Sequence, residues 1–221
     1  ASTRGVEIHQ HTEVKSLLRD KDGTIKGVET NRGTVLANKV AVVVSGHTTT
    51  ITETAGLRLP IKSFNLAAFV SEPVKPLIDV IVNCPDLGVY LNQSDKGELV
   101  IGGAPDPGQS FRRDVKQNVF EEAVVTMLEL FPAFRRLKLL RQWGGVLDIA
   151  HDATPIISAT DIPGLFVSCG WWGGFKAVPA GGYTLAHLIA TGQPHNVAAP
   201  FTLDRFHHLD FIVESGTTTA R

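Results

Sequence analysis

Cysteine is nearly missing from this 221-residue chain, which has only Cys84 and Cys169. Two such distant residues form neither a disulfide framework nor a metal-spaced set; this usage fits a reducing compartment, and a cytoplasmic location is expected. Long apolar runs are lacking too. None approaches the roughly 20 residues of a membrane helix, so no membrane partner is expected, and the opening Ala1-Ser2-Thr3-Arg4-Gly5 resembles no secretory signal. Charge of one sign is not in excess: a net −1 and a pI near 6.8 leave no basic stripe for nucleic acid. His9, His11 and His47 share no ligand spacing and no acidic pattern joins them, so no metal is expected. Repeats and low-complexity segments are absent. So is an initiator methionine, and the expectation is that the chain begins inside a longer product.

What is present is a hydrophobic fraction of 43%, enough for an ordinary buried core. The most distinctive stretch runs from Ser168 to Ile189. Gly164-Leu165-Phe166-Val167-Ser168 predicts a strand after a Pro-Gly turn, and Val178, Leu185, Leu188 and Ile189 predict a helical face, with Pro179 in the first turn. Between them, Gly170, Gly173 and Gly174 would let the backbone approach something flat or anionic without a Cβ in the way. The free N–H groups of the helix start favour negative charge, and Lys176 adds a full positive charge there. The same pattern is also that of a well-packed αβ corner.

Elsewhere the pattern is largely β. Strands are predicted at Gly5 to His9, Thr12 to Arg19, Ile25 to Thr30 and Val40 to Val44, the last a continuous run expected to be buried on both faces. A turn, Ser45-Gly46-His47-Thr48, leads into a short helix. Further strands are predicted at Phe64 to Ser71, Val80 to Val82, Leu87 to Asn92 and Glu98 to Gly102, with Pro105-Asp106-Pro107-Gly108 breaking the series. Val115 to Phe131 predicts an amphipathic helix through Val119, Ala123, Met127 and Leu130. Strands at Leu139 to Ile149 and Ile156-Ile157 and a short helix at Leu203 to Phe206 complete the series. Asp152 is expected to form a turn, His187 to pack within its helix, and His207-His208 to lie on the surface.

Several segments together resemble a known family. They are Ser45-Gly46-His47, Leu59-Pro60-Ile61, Gln93 to Leu99, Trp143-Gly144-Gly145, Asp152 to Ser158 and Cys169-Gly170-Trp171 through Gly174-Phe175-Lys176. The family is the D-amino-acid-oxidase class of FAD-dependent flavoproteins, and within it the beta subunits of heterotetrameric sarcosine oxidases. The resemblance implies FAD-dependent oxidation of a secondary amine. It implies that backbone at Gly170, Gly173, Gly174, Phe175 and Lys176 meets the flavin, that Gly46 lies by the FAD diphosphate, and that Val14 marks where backbone meets adenine. Lys176 would bind the substrate carboxylate. Tyr90 and Trp143, core aromatics on composition alone, would line the substrate pocket. A second flavin, FMN, and further subunits are also implied, the FMN attachment histidine lying outside this chain. There are departures: the loop at Gly170 is one residue shorter than the family pattern, Trp172 stands where a glycine is usual, and no Gly-x-Gly-x-x-Gly occurs anywhere.

The expected fold is therefore α/β, with mixed α+β character: an incomplete FAD-binding α/β domain (1–58 and 151–192), a mixed antiparallel-sheet substrate lobe (59–150) and a tail (193–221). The expected function is that of the C-terminal part of an oxidase of small N-methyl amino acids, with hydride passing to flavin N5. The alternatives are a catalytically inactive assembly module that self-associates through an uncovered sheet edge, or a related substrate such as dimethylglycine, proline or glycine.

Overall fold

Three sheets organise the chain in a computed structural model that describes residues 2–212. The first is an antiparallel meander of β1 (Val14–Arg19), β2 (Ile25–Thr30) and β3 (Gly33–Leu36). Its tight connections follow from Asp20-Lys21-Asp22-Gly23, where Gly23 takes a positive φ, and from Gly33. The chain then forms β4 (Val40–Val42), a 3₁₀ turn over Ser45–His47 and the short helix α1 (Thr48–Thr52).

The largest sheet has five antiparallel strands in the order β6-β7-β8-β5-β9. These are β5 (Ile61–Pro73), β6 (Val82–Cys84), β7 (Val89–Gln93), β8 (Glu98–Gln109) and β9 (Leu139–Ala150). Helix α2 (Gln117–Leu130) lies on one face. Its buried stripe of Val119, Ala123 and Met127 packs on Ala67, Phe69, Leu91, Leu99 and Ile101, as its spacing predicts. Because side chains alternate along strands, the neighbouring residues Ala68, Tyr90 and Gly102 face the other way.

The third sheet has β4 beside β11 (Leu165–Cys169), in parallel, and β10 (Ile156–Ala159) on the far side of β11, antiparallel. Every residue of β11 is buried. A 3₁₀ turn over Gly174–Ala177 leads into α3 (Val178–Thr191), which covers β10 and β11 through Leu185 and Leu188; α4 (Asp204–His207) follows. Helix α3 ends at Gly192, whose φ of 74° supplies the left-handed cap.

Several expectations are corrected. Residues 5–9 form no strand and are exposed, since nothing pairs with them among the described residues. The run from Val40 to Val44 is shorter and less buried than predicted: β4 stops at Val42 and is an edge strand, so Val43 and Val44 are 57% and 45% exposed. The strand near Val80 begins instead at Val82, leaving Val80 and Ile81 in solvent. Pro105 and Pro107 do not end β8. Beyond Gly102, β7 no longer flanks it, and shifts in its register with β5 absorb the extra residues, conditions under which a strand tolerates proline. Val178 opens α3 but is exposed and takes no part in its buried face.

Candidate functional site

Tyr90 and Trp143 fall in one row across the large sheet. Tyr90 pairs with Gly102, Gly102 with Ala68, and Ala68 with Trp143. Directly opposed residues share a face, so two aromatic side chains flank a floor of glycine and alanine on the face away from α2. Gly103, which faces α2, confirms the orientation, since a Cβ there would stand 3.3 Å from Ala123 Cβ. Tyr90 lies flat across the floor: a Cβ on Gly102 would be 1.9 Å from its Cζ and 2.3 Å from its hydroxyl. Burial raises the Tyr90 phenol above its ordinary pKa, so it remains an O–H donor through the neutral range. The guanidinium of Arg141, a residue that the sequence reading passed over, stands 5.6 Å from the Trp143 ring centre.

The glycine corner is more filled than its sequence suggests. Gly170 has a φ of 73°, and a Cβ on it would come within 2.7 Å of Ala150 Cβ. A Cβ on Gly174 or Gly181 would meet the Trp171 ring system, whose Nε1 donates to Ser168 Oγ at 3.0 Å. These glycines are thus required by protein packing. The backbone from Gly174 to Ala177 remains open, with no side-chain cap at the start of this turn or of α3. Phe175 is 96% exposed and Lys176 is exposed beside Gly173. An apolar cleft of about 380 Å³ opens alongside, lined by Trp171, Trp172, Lys176, Thr184 and Phe201 among others.

Gly46 sits where β4 turns into α1. Its Cβ position is taken by Val146 of β9, 2.3 Å away, and its carbonyl accepts from Ser63 Oγ at 2.7 Å. Val14, the first residue of β1, belongs to the meander and thus to neither sheet that carries the other candidates. Two buried acids were missed or undervalued by the sequence reading. Asp148, 1% exposed, accepts from Gly170 N–H at 2.7 Å. Asp152 does form its turn, through Thr154 N–H at 3.2 Å, but it also makes a two-pronged ion pair with Arg205 at 2.8 and 3.0 Å. Among the described residues no cluster of three or more His, Cys, Asp or Glu could hold a metal, and no helix is long and apolar enough to cross a membrane.

A family model described as FAD dependent oxidoreductase matches residues 1–188. The chain belongs to this FAD-dependent oxidoreductase family. Within it, the chain is 46% identical over 215 residues to sarcosine oxidase subunit beta of Rhodobacter capsulatus, covering 97% of this chain and 51% of that protein. To the same subunit of an Arthrobacter species it is 44% identical over 217 residues, covering 98% and 53%. The chain thus spans about half the length of the curated relatives it matches. Among solved structures, L-proline dehydrogenase of P. horikoshii superposes with a TM-score of 0.85 at 26% identity, covering 94% of this chain and 57% of that one. Glycine oxidase of Geobacillus kaustophilus, at 22% identity and a TM-score of 0.80 over 91% and 54% of the two chains, shares the fold. The mixed α/β fold with antiparallel sheets is therefore that of the FAD-dependent family.

The residues present fit part of the family's cofactor. The turn at Gly174–Ala177, with no side-chain cap at its start and Phe175 and Lys176 exposed, suits the electron-rich edge of a flavin ring. The glycine motif that cradles a diphosphate is not among these residues.

Proposed function

We propose that this chain supplies the substrate lobe and the flavin-facing corner of an FAD-dependent oxidase of small N-methyl amino acids, of the sarcosine oxidase type. The observation that carries the reading is the row Tyr90, Gly102, Ala68, Trp143: the Tyr90 ring over Gly102 and the Trp143 side chain beside Ala68 give an aromatic surface that would form one side of a slot for a small aliphatic amine. When bound, FAD would supply the two-electron oxidation of the substrate's N-methyl group. The chain's residues bind and orient. Lys176 pairs with the substrate carboxylate, Tyr90 donates its hydroxyl proton in a hydrogen bond, and Trp143 closes one side of the slot against water. The N–H groups of Gly174, Phe175 and Lys176 offset negative charge at the ring edge, with Gly173 backbone beside them; Gly170, whose own N–H is taken by Asp148, shapes the loop behind them, while Gly46 and Val14 provide backbone for the diphosphate and adenine. FMN, further subunits and a cytoplasmic setting follow from the same reading, supported by relatives named as beta subunits of sarcosine oxidase.

Lys176→Met in the complete polypeptide tests the carboxylate role. KM for sarcosine is expected to rise at least tenfold, in line with the roughly 1.5–3 kcal/mol of a charged hydrogen bond, while FAD stays bound. An unchanged KM and reduction rate would remove Lys176 from the site.

A second reading has its own observation. The open edge of β4, with Val43 and Val44 exposed beyond it, presents unpaired backbone and apolar surface. This favours an assembly role, in which these residues pair with a second copy or another chain without catalysing anything.

A further inference from the structure

Asp148 is buried to 1% exposure, and among the described residues no basic side chain forms an ion pair with it. Its neighbours are neutral donors from two separate loops. Oδ2 accepts from Gly170 N–H at 2.7 Å and Oδ1 lies 3.4 Å from Ser45 Oγ, while Thr48 Oγ1, 3.5 Å from Oδ2, gives its proton to the Ser45 carbonyl at 2.6 Å. A buried acid group is costly unless its hydrogen bonding is well satisfied, so its retention at this junction calls for a role. Its surroundings supply one. Ser45 holds a φ of 49°, unusual for a residue with a side chain. Gly46, next to it, is pressed against Val146 two residues before Asp148. On the other side, Gly170 stands at a left-handed φ, and Ala150 N–H, two residues beyond Asp148, reaches the Gly170 carbonyl at 3.4 Å. One short piece of β9 therefore holds the Ser45–Thr48 turn and the Gly170 loop at a fixed separation, with Asp148 in contact with both.

We propose that Asp148 is a positioning residue that locks these two loops together and so sets how FAD is held. The inference rests on the FAD reading given above, which assigns the diphosphate to the first loop and the flavin edge to the second. Asp148 touches neither cofactor nor substrate. It acts through the Gly170 N–H and the Ser45 hydroxyl, so misaligned loops, not a missing contact, would weaken the cofactor's hold.

The test uses the complete polypeptide with Asp148→Ala, Asp148→Asn and Ser45→Ala. The readouts are the FAD dissociation constant by flavin fluorescence, the visible absorption of bound flavin, and melting of the FAD-free protein. Asp148→Ala is expected to weaken FAD binding about tenfold or more, equivalent to 1.4 kcal/mol, and to alter the flavin band. Asp148→Asn keeps an acceptor for Gly170 N–H and is expected to recover most of the loss. Ser45→Ala, with FAD-free melting as in the wild type, is expected to weaken binding about threefold. If Asp148→Ala fails to fold, Ser45→Ala decides the matter, and wild-type FAD affinity and spectrum in it would overturn the proposal. Equal affinity in a folded Asp148→Ala would do the same while leaving the FAD reading intact. A wild-type polypeptide that binds no FAD would remove the reading itself, and the inference with it.

Discussion

Gly102→Ala probes the proposed slot without touching any charged group. The added Cβ would stand 1.9 Å from Tyr90 Cζ and 2.1 Å from Cε1. Carbon atoms in contact ordinarily stand about 3.5–4.0 Å apart, so the ring must move by roughly 1.5–2 Å or the strands must part. Opening a paired sheet costs more than moving a side chain, and Tyr90 is half-buried with solvent on one side, so the ring is expected to swing outward. The stability cost is then the burial Tyr90 loses plus residual strain, about 1–2 kcal/mol, at the low end of overpacking effects. Urea unfolding measures it through a lower midpoint at unchanged slope. Tyr90→Ala should absorb most of the penalty, so the pair should show a coupling energy of about 1 kcal/mol in a double-mutant cycle. On the proposed oxidase reading, the displaced ring should raise KM for sarcosine in the complete polypeptide. A Gly102→Ala protein with wild-type midpoint and KM would refute both the ring's position over the floor and the slot built on it.

Arg205→Met leaves Asp152 buried without its cation; the pair is 4% and 3% exposed, and losing one partner should cost about 3–5 kcal/mol, read by urea unfolding. Acid should act at the same place. Burial pushes the Asp152 carboxyl up, but hydrogen bonds from Arg205 and from the Ile212 and Thr154 N–H groups outweigh it and hold the pKa below the usual range. A depressed folded-state value means the stabilisation is complete above the unfolded pKa, about 3.9, and is lost as pH falls through the folded value. The unfolding midpoint of the wild type should therefore fall more steeply below pH 4 than that of Asp152→Asn. On the assembly reading, light scattering should show these 221 residues as dimers or larger species, and lysine at Val43 and Val44 should reduce them; a clean monomer would count against that reading.

What the sequence made legible was what local chemistry decides. Helix α2 follows from its spacing, the meander from its turn residues, and β10 and β11 from short apolar runs after Pro-containing turns. Features set by distant partners were hidden. Nothing near Asp148 in sequence marks it as meeting Gly170 or Ser45, since those contacts depend on β9 crossing beneath both loops. Arg205 reads as one cation in a polar tail until the fold brings it 53 residues back to Asp152. The prolines of β8 read as a break because the loss of β7 on one side cannot be seen along the chain. Tyr90 and Trp143 were nameable only through family resemblance. Their common row is a matter of register, which three pairings fix together.

The glycine corner shows how one composition can satisfy two demands. Open backbone was the expected purpose of Gly170, Gly173 and Gly174, yet Ala150 fills the space beside the first and Trp171 the space beside the third. Packing alone accounts for these two. What packing leaves unexplained is the segment that follows: a helical start without a side-chain cap, a phenylalanine almost wholly in solvent, and a lysine whose charge opposes the helix dipole. A purely structural corner would gain from an acidic or hydroxyl cap there, by about 1 kcal/mol. On the proposed reading, its absence, together with Lys176, places the functional weight of the corner on the turn that the glycines support. Trp171, braced by Gly174, Gly181 and Ser168, then serves as the rigid wedge that holds this turn at the edge of the sheet.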